Sequence, residues 1–163
     1  MNTKDAIKSA MDLSHMVLTS YISDLSDADL LQRPAEGCNH LAWQLGHLLA
    51  AEVDLVNMVC PGKGAELPAG FAEAHAKENC ASNDPQQFKT KQEYLELFQK
   101  VRAATVAALE GLSDAELDNP SPERMRQFVP KIGQFFTLIG THPMMHAGQF
   151  VVVRRKLGKP ILM

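Results

Sequence analysis

Apolar residues recur at intervals of three, four and seven along four long stretches of this chain, and no stretch alternates with the two-residue period of a strand. That pattern constrains the fold more than any other feature. A helix turning every ~3.6 residues gathers such positions into one stripe that must be buried. The first stretch, Thr3 to about Ser23, carries Ile7, Met11, Leu18, Tyr21 and Ile22, with Ala10, Ser14 and Val17 filling the stripe. The second runs from a cap at Asn39 to about Val59 through Leu41, Leu45, Leu48, Leu49, Leu55 and Val56, and Cys60-Pro61-Gly62-Lys63-Gly64 stops it. The third spans about Thr90 to Glu110 with Tyr94, Leu95, Phe98, Val101, Thr105 and Leu109 inward, and Gly111 ends it. The fourth begins near Pro130 or Lys131, passes Phe135, Phe136 and Ile139, and ends near Leu157-Gly158. Four such stripes predict an all-α four-helix bundle.

Shorter signals fill the gaps. Leu25-Ser26-Asp27-Ala28-Asp29-Leu30 predicts a helical turn capped by Ser26, closed off by Pro34 and Gly37. Leu112-Ser113-Asp114-Ala115-Glu116-Leu117 nearly repeats it at the equivalent place after the third helix. The repeat suggests two similar halves, each helix, turn, helix, although Ser-Asp-Ala-acid is also plain helix-start chemistry. Residues 60–89 form a long loop between helices 2 and 3, with a short helix near Phe71–Lys77. A connection of that length in a compact domain is a candidate lid or binding loop.

At 163 residues the chain predicts a single domain, 1–163, large enough for a real core. A net charge of -3 leaves no basic footprint for nucleic acid. Cys38, Cys60 and Cys80 are odd in number and lack a CxxC spacing, which argues against a disulfide framework and for a reducing cytoplasm. The start of the chain has no signal-peptide pattern, and no apolar run is long enough for a membrane span. Arg154, Arg155, Lys156 and Lys159 read as a solvated helix end that suits the negative pole of the helix dipole.

The chemistry-bearing residues are histidines. His142 and His146 stand four apart in Thr141-His142-Pro143-Met144-Met145-His146-Ala147-Gly148-Gln149, and therefore on one helix face. Pro143 occupies the place of the glutamate in an HExxH protease motif, which excludes that class, and predicts a kink or helix restart beside His142. His47 lies in Ala42-Trp43-Gln44-Leu45-Gly46-His47-Leu48, on the matching helix of the other half. Alone it reads equally as a hydrogen-bonded core histidine. Facing the other pair across a bundle, it completes three imidazoles. That set suits Zn, Ni, Fe or Cu, and three protein ligands with an open position belong to a catalytic metal. The open position serves either hydrolysis with activated water or transfer to or from an activated thiol.

Around these residues the sequence resembles the DinB/YfiT-like superfamily of metal-dependent bundle proteins. The resemblance rests on Ala42-Trp43-Gln44-Leu45-Gly46-His47-Leu48 and on His142-x-x-x-His146-x-Gly148-Gln149 followed by Arg154, Arg155 and Leu157-Gly158, and it spans nearly the whole chain. It implies a bundle with His47, His142 and His146 on one divalent metal (Zn, Ni, Fe or Mn), often as a homodimer. Its relatives include thiol S-transferases using low-molecular-weight thiols, so it implies a small-molecule substrate with a thiol cosubstrate. A metal-dependent hydrolase and a non-catalytic, ligand-binding or stress-related bundle stay open beside it. Ala147 and Met145 depart from the family's commoner basic residue and histidine. Of the remaining candidates, Gln149 is balanced between orienting a ligand and facing solvent. Glu52 lies off the His47 face as a minor general-base candidate. His15 reads as a surface group, and His40 as a capping or exposed group at the helix start. His75 enters only if the long loop folds over the metal. Met58, Met144 and Met145 are expected to line core or pocket.

Overall fold

The computed structural model describes residues 1–161. Four long helices carry the fold: α1 (Thr3–Ile22), α3 (Leu41–Val59), α5 (Lys91–Glu110) and α7 (Ile132–Lys156). Single-turn helices α2 (Asp27–Leu30), α4 (Phe71–Ala74) and α6 (Asp114–Leu117) sit in the connections, with short 3-10 turns at Lys77–Asn79, Pro85–Gln87 and Glu123–Met125. The architecture is an all-α four-helix bundle. The loop between α3 and α5 is long, as the sequence indicates, but its central helix is shorter than expected and gives way to a 3-10 turn.

The helix starts follow from local hydrogen bonding. Asn2, Ser26, Thr90 and Ser113 each accept a bond from the backbone N–H three residues on, and an acidic side chain at that position bonds back to the cap. These reciprocal capping boxes satisfy donors that a helix terminus leaves orphaned. The two near-identical hexapeptides thus form the same device, with Leu30 and Leu117 buried beneath each. At α3 the expected cap, Asn39, is displaced by one residue. His40 is the cap, its Nδ1 accepting the Trp43 N–H at 2.9 Å.

Side-chain contacts fix the helix directions. Met11 lies against Gly140 and the Tyr21 carbonyl accepts from Arg154, so α1 and α7 run parallel. Lys8 pairs with Glu110, and Lys91 donates to the Ser23 carbonyl, so α1 and α5 are antiparallel. Gln44 meets His146 while His47 meets His142, making α3 antiparallel to α7. The order is up, down, down, up. A Cβ on Gly140 would sit 2.5 Å from Met11 Cγ, so glycine permits the close α1–α7 approach.

Two apolar clusters fill the bundle. One gathers Leu18, Leu45, Leu49, Phe98 and Phe150, and the other Met11, Val56, Leu109, Phe135 and Phe136. Burying each such side chain contributes roughly 1.5–3 kcal/mol. The buried polar residues Ser14, Glu52, Arg102 and Thr105 occur on α1, α3 and α5. Glu52 pairs with Arg102 at 3.1 Å and accepts from Thr105 Oγ1 at 2.6 Å. Burial pushes the Glu52 carboxyl up, with Arg102 and Thr105 opposing.

Arg154 corrects the reading of a solvated helix end. Its side chain is fully buried, donating to the Tyr21 and Pro160 carbonyls and to Asp24. Arg155 and Lys156 are exposed as expected.

Candidate metal centre

His47 projects from α3 toward α7, where His142 and His146 stand one turn apart. The ring centroids are separated by 5.6 Å (47–142), 5.6 Å (47–146) and 5.0 Å (142–146). One nitrogen from each ring lies within 4.8 Å of the other two. Bonds of ~2.0–2.1 Å to one ion place ligand nitrogens about 3–3.5 Å apart. The rings therefore have at most about 1.8 Å to close, and all three are only partly buried. This cluster is capable of coordinating a divalent metal.

The electrostatics suit the same purpose. Burial lowers the pKa of His47; burial and then His47 lower that of His142. His146 is lowered to about 4 by burial, then by His142 and His47. Neutral imidazoles carry the lone pair that a metal requires.

Neighbouring groups orient the rings. His146 Nδ1 lies 2.8 Å from Gln44 Oε1, while Gln44 Nε2 donates to the Asn39 carbonyl at 2.7 Å. With the amide nitrogen committed, Oε1 is an acceptor, so His146 carries its proton on Nδ1 and presents Nε2. This is the outer-shell arrangement that fixes the tautomer of a ligating histidine. Trp43 stacks on His47 at 4.9 Å with 6° between the planes, and its Nε1 donates to the Ala76 carbonyl at 3.2 Å. α7 continues unbroken through Pro143, so the expected restart does not occur; the bond that an N–H would donate to Ile139 is simply missing.

The long connection folds against α3 near this site. His75 is buried, its Nδ1 2.8 Å from the Phe71 carbonyl and its Nε2 2.8 Å from Tyr94 Oη. A carbonyl only accepts, so Nδ1 donates and Tyr94 donates to Nε2. His75 is thus an anchor for the loop, with both nitrogens engaged. Its ring occupies the space beside Gly46, where a Cβ would come within 1.9 Å of Cδ2. His40 Nε2 donates to the Ser82 carbonyl at 3.1 Å, and Arg33 to the Cys80 and Ser82 carbonyls. Between this loop and α3 runs a cavity of about 510 Å³ bordered by His47, Trp43 and His75. A larger one, about 560 Å³ between the start of α1 and α6–α7, has no histidine or cysteine in its lining.

Several sequence candidates fall outside the site. Gln149 is exposed, and Gln44, which sequence reasoning did not single out, takes the orienting role. Glu52 faces α5 and is committed to Arg102 and Thr105, which removes it as a general base. His15 is half-buried against Phe98 rather than on the surface. His40 caps α3 and is fully buried. Met145 is 70% exposed and Met144 is also exposed, so neither lines a pocket; Met58 packs against the second apolar cluster.

A sequence profile described as DinB superfamily matches residues 10–150. The chain belongs to the DinB superfamily. No curated protein matches this DinB chain in sequence. Its fold is similar to that of YfiT from Bacillus subtilis, described as a probable metal-dependent hydrolase with an unusual four-helix bundle topology. The TM-score is 0.64 at 16% identity, over 96% of this chain and 89% of YfiT. It is also similar to a conserved protein from Enterococcus faecalis, with a TM-score of 0.68 at 15% identity over 98% and 99% of the two chains.

Proposed function

We propose that this DinB protein is a metal-dependent hydrolase in which His47, His142 and His146 hold one divalent cation, Zn, Ni, Fe or Mn. The observation that carries the reading is the convergence of three neutral imidazoles with no carboxylate or thiol among the described residues joining the set. The description of the structurally similar YfiT supports it. When bound, such a cation supplies Lewis acidity and lowers the pKa of a water at its open position. The chain's own residues do the positioning. Gln44 holds the His146 proton on Nδ1, Trp43 fixes the plane of His47, and the α7 backbone sets His142 one turn from His146.

A thiol S-transferase would use the same three residues, with a low-molecular-weight thiol at the open position. Exposed Leu13 and Met16 on α1, with Met145 and Val152 on the adjacent α7, support a homodimer. No helix among the described residues is long and apolar enough to cross a membrane, in keeping with action on small molecules in the cytoplasm.

The test begins with chelator-stripped protein reloaded with each metal. Uptake of one metal per chain is expected, lost in His47→Ala, His142→Ala and His146→Ala with helicity retained. Absence of uptake at that stoichiometry overturns the metal reading. Loaded protein is then offered simple amides and esters in one arm, and a thiol with an electrophile panel in the other. Water-dependent cleavage without thiol consumption is the expected result; thiol consumption alone replaces the hydrolase with the transferase.

A further inference from the structure

The cavity beside His47 is a groove with a direction. Its α3 wall presents Asn39, Trp43, His47, Ala50, Ala51 and Asp54. The opposite wall runs the other way: His75 packs on Gly46, Ala76 takes the Trp43 indole N–H, and Lys77 follows. Lys77 and Asn39 therefore close one end, and Asp54 the other. At ~1.5 Å per residue, Asp54 stands about 10 Å along α3 from His47 and Asn39 about 12 Å the other way. Between the ends Ala50, Ala51, Ala72 and Ala76 line the groove with small apolar side chains. Neither the Asp54 carboxylate nor the Lys77 ammonium has a hydrogen-bond or ion-pair partner among the described residues, unlike the side chains of Asp24, Glu52 and Lys131.

We propose that this groove is the substrate cleft and selects a short, zwitterionic peptide-like chain. Its ammonium lies against Asp54, its carboxylate against Lys77 and Asn39, and a central amide at His47. The assignment rests on the hydrolase reading for the fate of that amide, but not for binding. The charges at the two ends set polarity. An extended chain advances ~3.3–3.6 Å per residue, so about six residues span the groove and about three lie on each side of His47. With water as co-reactant, cleavage breaks the central C–N bond; water's oxygen goes to the carbonyl carbon and its protons end on the new carboxylate and amine. Both products keep one end of the cleft.

Trp43 is the only tryptophan in the chain and lines this groove, so its fluorescence reports occupancy directly. Hexaalanine is titrated into the metal-loaded protein beside its N-acetyl and C-amide forms, with calorimetry as a second readout. Free hexaalanine is expected to bind at least five-fold more tightly than either capped form. Asp54→Asn should abolish the advantage of the free amine alone, Lys77→Gln that of the free carboxylate alone, and Ala51→Phe should block binding. Asp54 and Lys77 are exposed, so those two variants report even if Ala51→Phe fails to fold. Equal binding of free and capped peptides, or no binding at all, overturns the cleft. The His146→Ala protein separates the two claims. Peptide binding there, with cleavage absent even in the metal-loaded parent, upholds the cleft and overturns the hydrolase. Cleavage by the parent that ignores both end charges does the reverse.

Discussion

Gln44 and Gly46 have no chemistry of their own in a sequence, yet each decides how a neighbouring histidine behaves. The Gln44 amide is 1% exposed and fully committed, and replacing it with leucine leaves His146 free to turn and to swap tautomers. Loss of such an outer-shell partner typically weakens metal affinity about 10–100-fold. Competition with a chromophoric chelator should show that loss in Gln44→Leu at unchanged thermal stability. Gly46→Ala drives a methyl into the His75 ring and should lower stability by about 1–3 kcal/mol, the cost of overpacking. In urea denaturation the double change Gly46→Ala, His75→Ala should cost less than the two single effects added together, because removing the ring removes the clash. The paired spacing of His142 and His146, and the placement of His47 on the opposing helix, are readable from periodicity alone. Gln44 is not, because its role depends on a contact across 102 positions of the chain.

His40 shows where a helix start and a loop become one unit. It caps α3 with Nδ1 and holds Ser82 with Nε2–H, so both nitrogens work only in the neutral ring. Burial, then Arg33, depresses its pKa to about 4. The unfolded chain, with histidine near ~6.5, binds a proton over that interval while the folded chain does not. Stability from this group is therefore complete above pH ~6.5 and is lost as pH falls toward about 4. The slope is about 1 kcal/mol per pH unit from this residue alone. Chemical denaturation between pH 7 and 4 should reveal it, and His40→Asn, which keeps a good cap, should flatten it. The sequence pointed to Asn39 because asparagine is the better cap by propensity. The structure instead puts the cap at position 40, where the imidazole caps with one nitrogen and meets the Ser82 carbonyl with the other. Ser26, Ser113 and Thr90, with no such tertiary demand, cap where propensity places them. Of the two expectations at Pro143, a kink or a restart, the restart is the one that does not occur, since α7 stays helical through it.

In the interior of the bundle Glu52 ties α3 to α5, through its ion pair with Arg102 and the hydrogen bond it accepts from Thr105. Arg102 Nε, Nη1 and Nη2 have no hydrogen-bond partner, so the ion pair at 3.1 Å is what balances this buried charge. Glu52→Leu strands it and should cost about 3–5 kcal/mol, while Glu52→Leu with Arg102→Met should recover most of the loss. Guanidinium denaturation midpoints compare them directly.

The parallel pairing of α1 with α7 carries a consequence in time. The first long helix to be synthesised finds its closest partner in the last, so the pair spans nearly the greatest sequence separation this chain allows, and contacts of that kind slow folding. Until α7 leaves the ribosome, α1 has α5 but not its main partner to cover its apolar face, and exposed apolar surface of that kind invites aggregation. His142 and His146 also arrive only then. A nascent chain carrying His47 alone has no three-imidazole cluster, so on the proposed reading metal uptake waits until the bundle has closed.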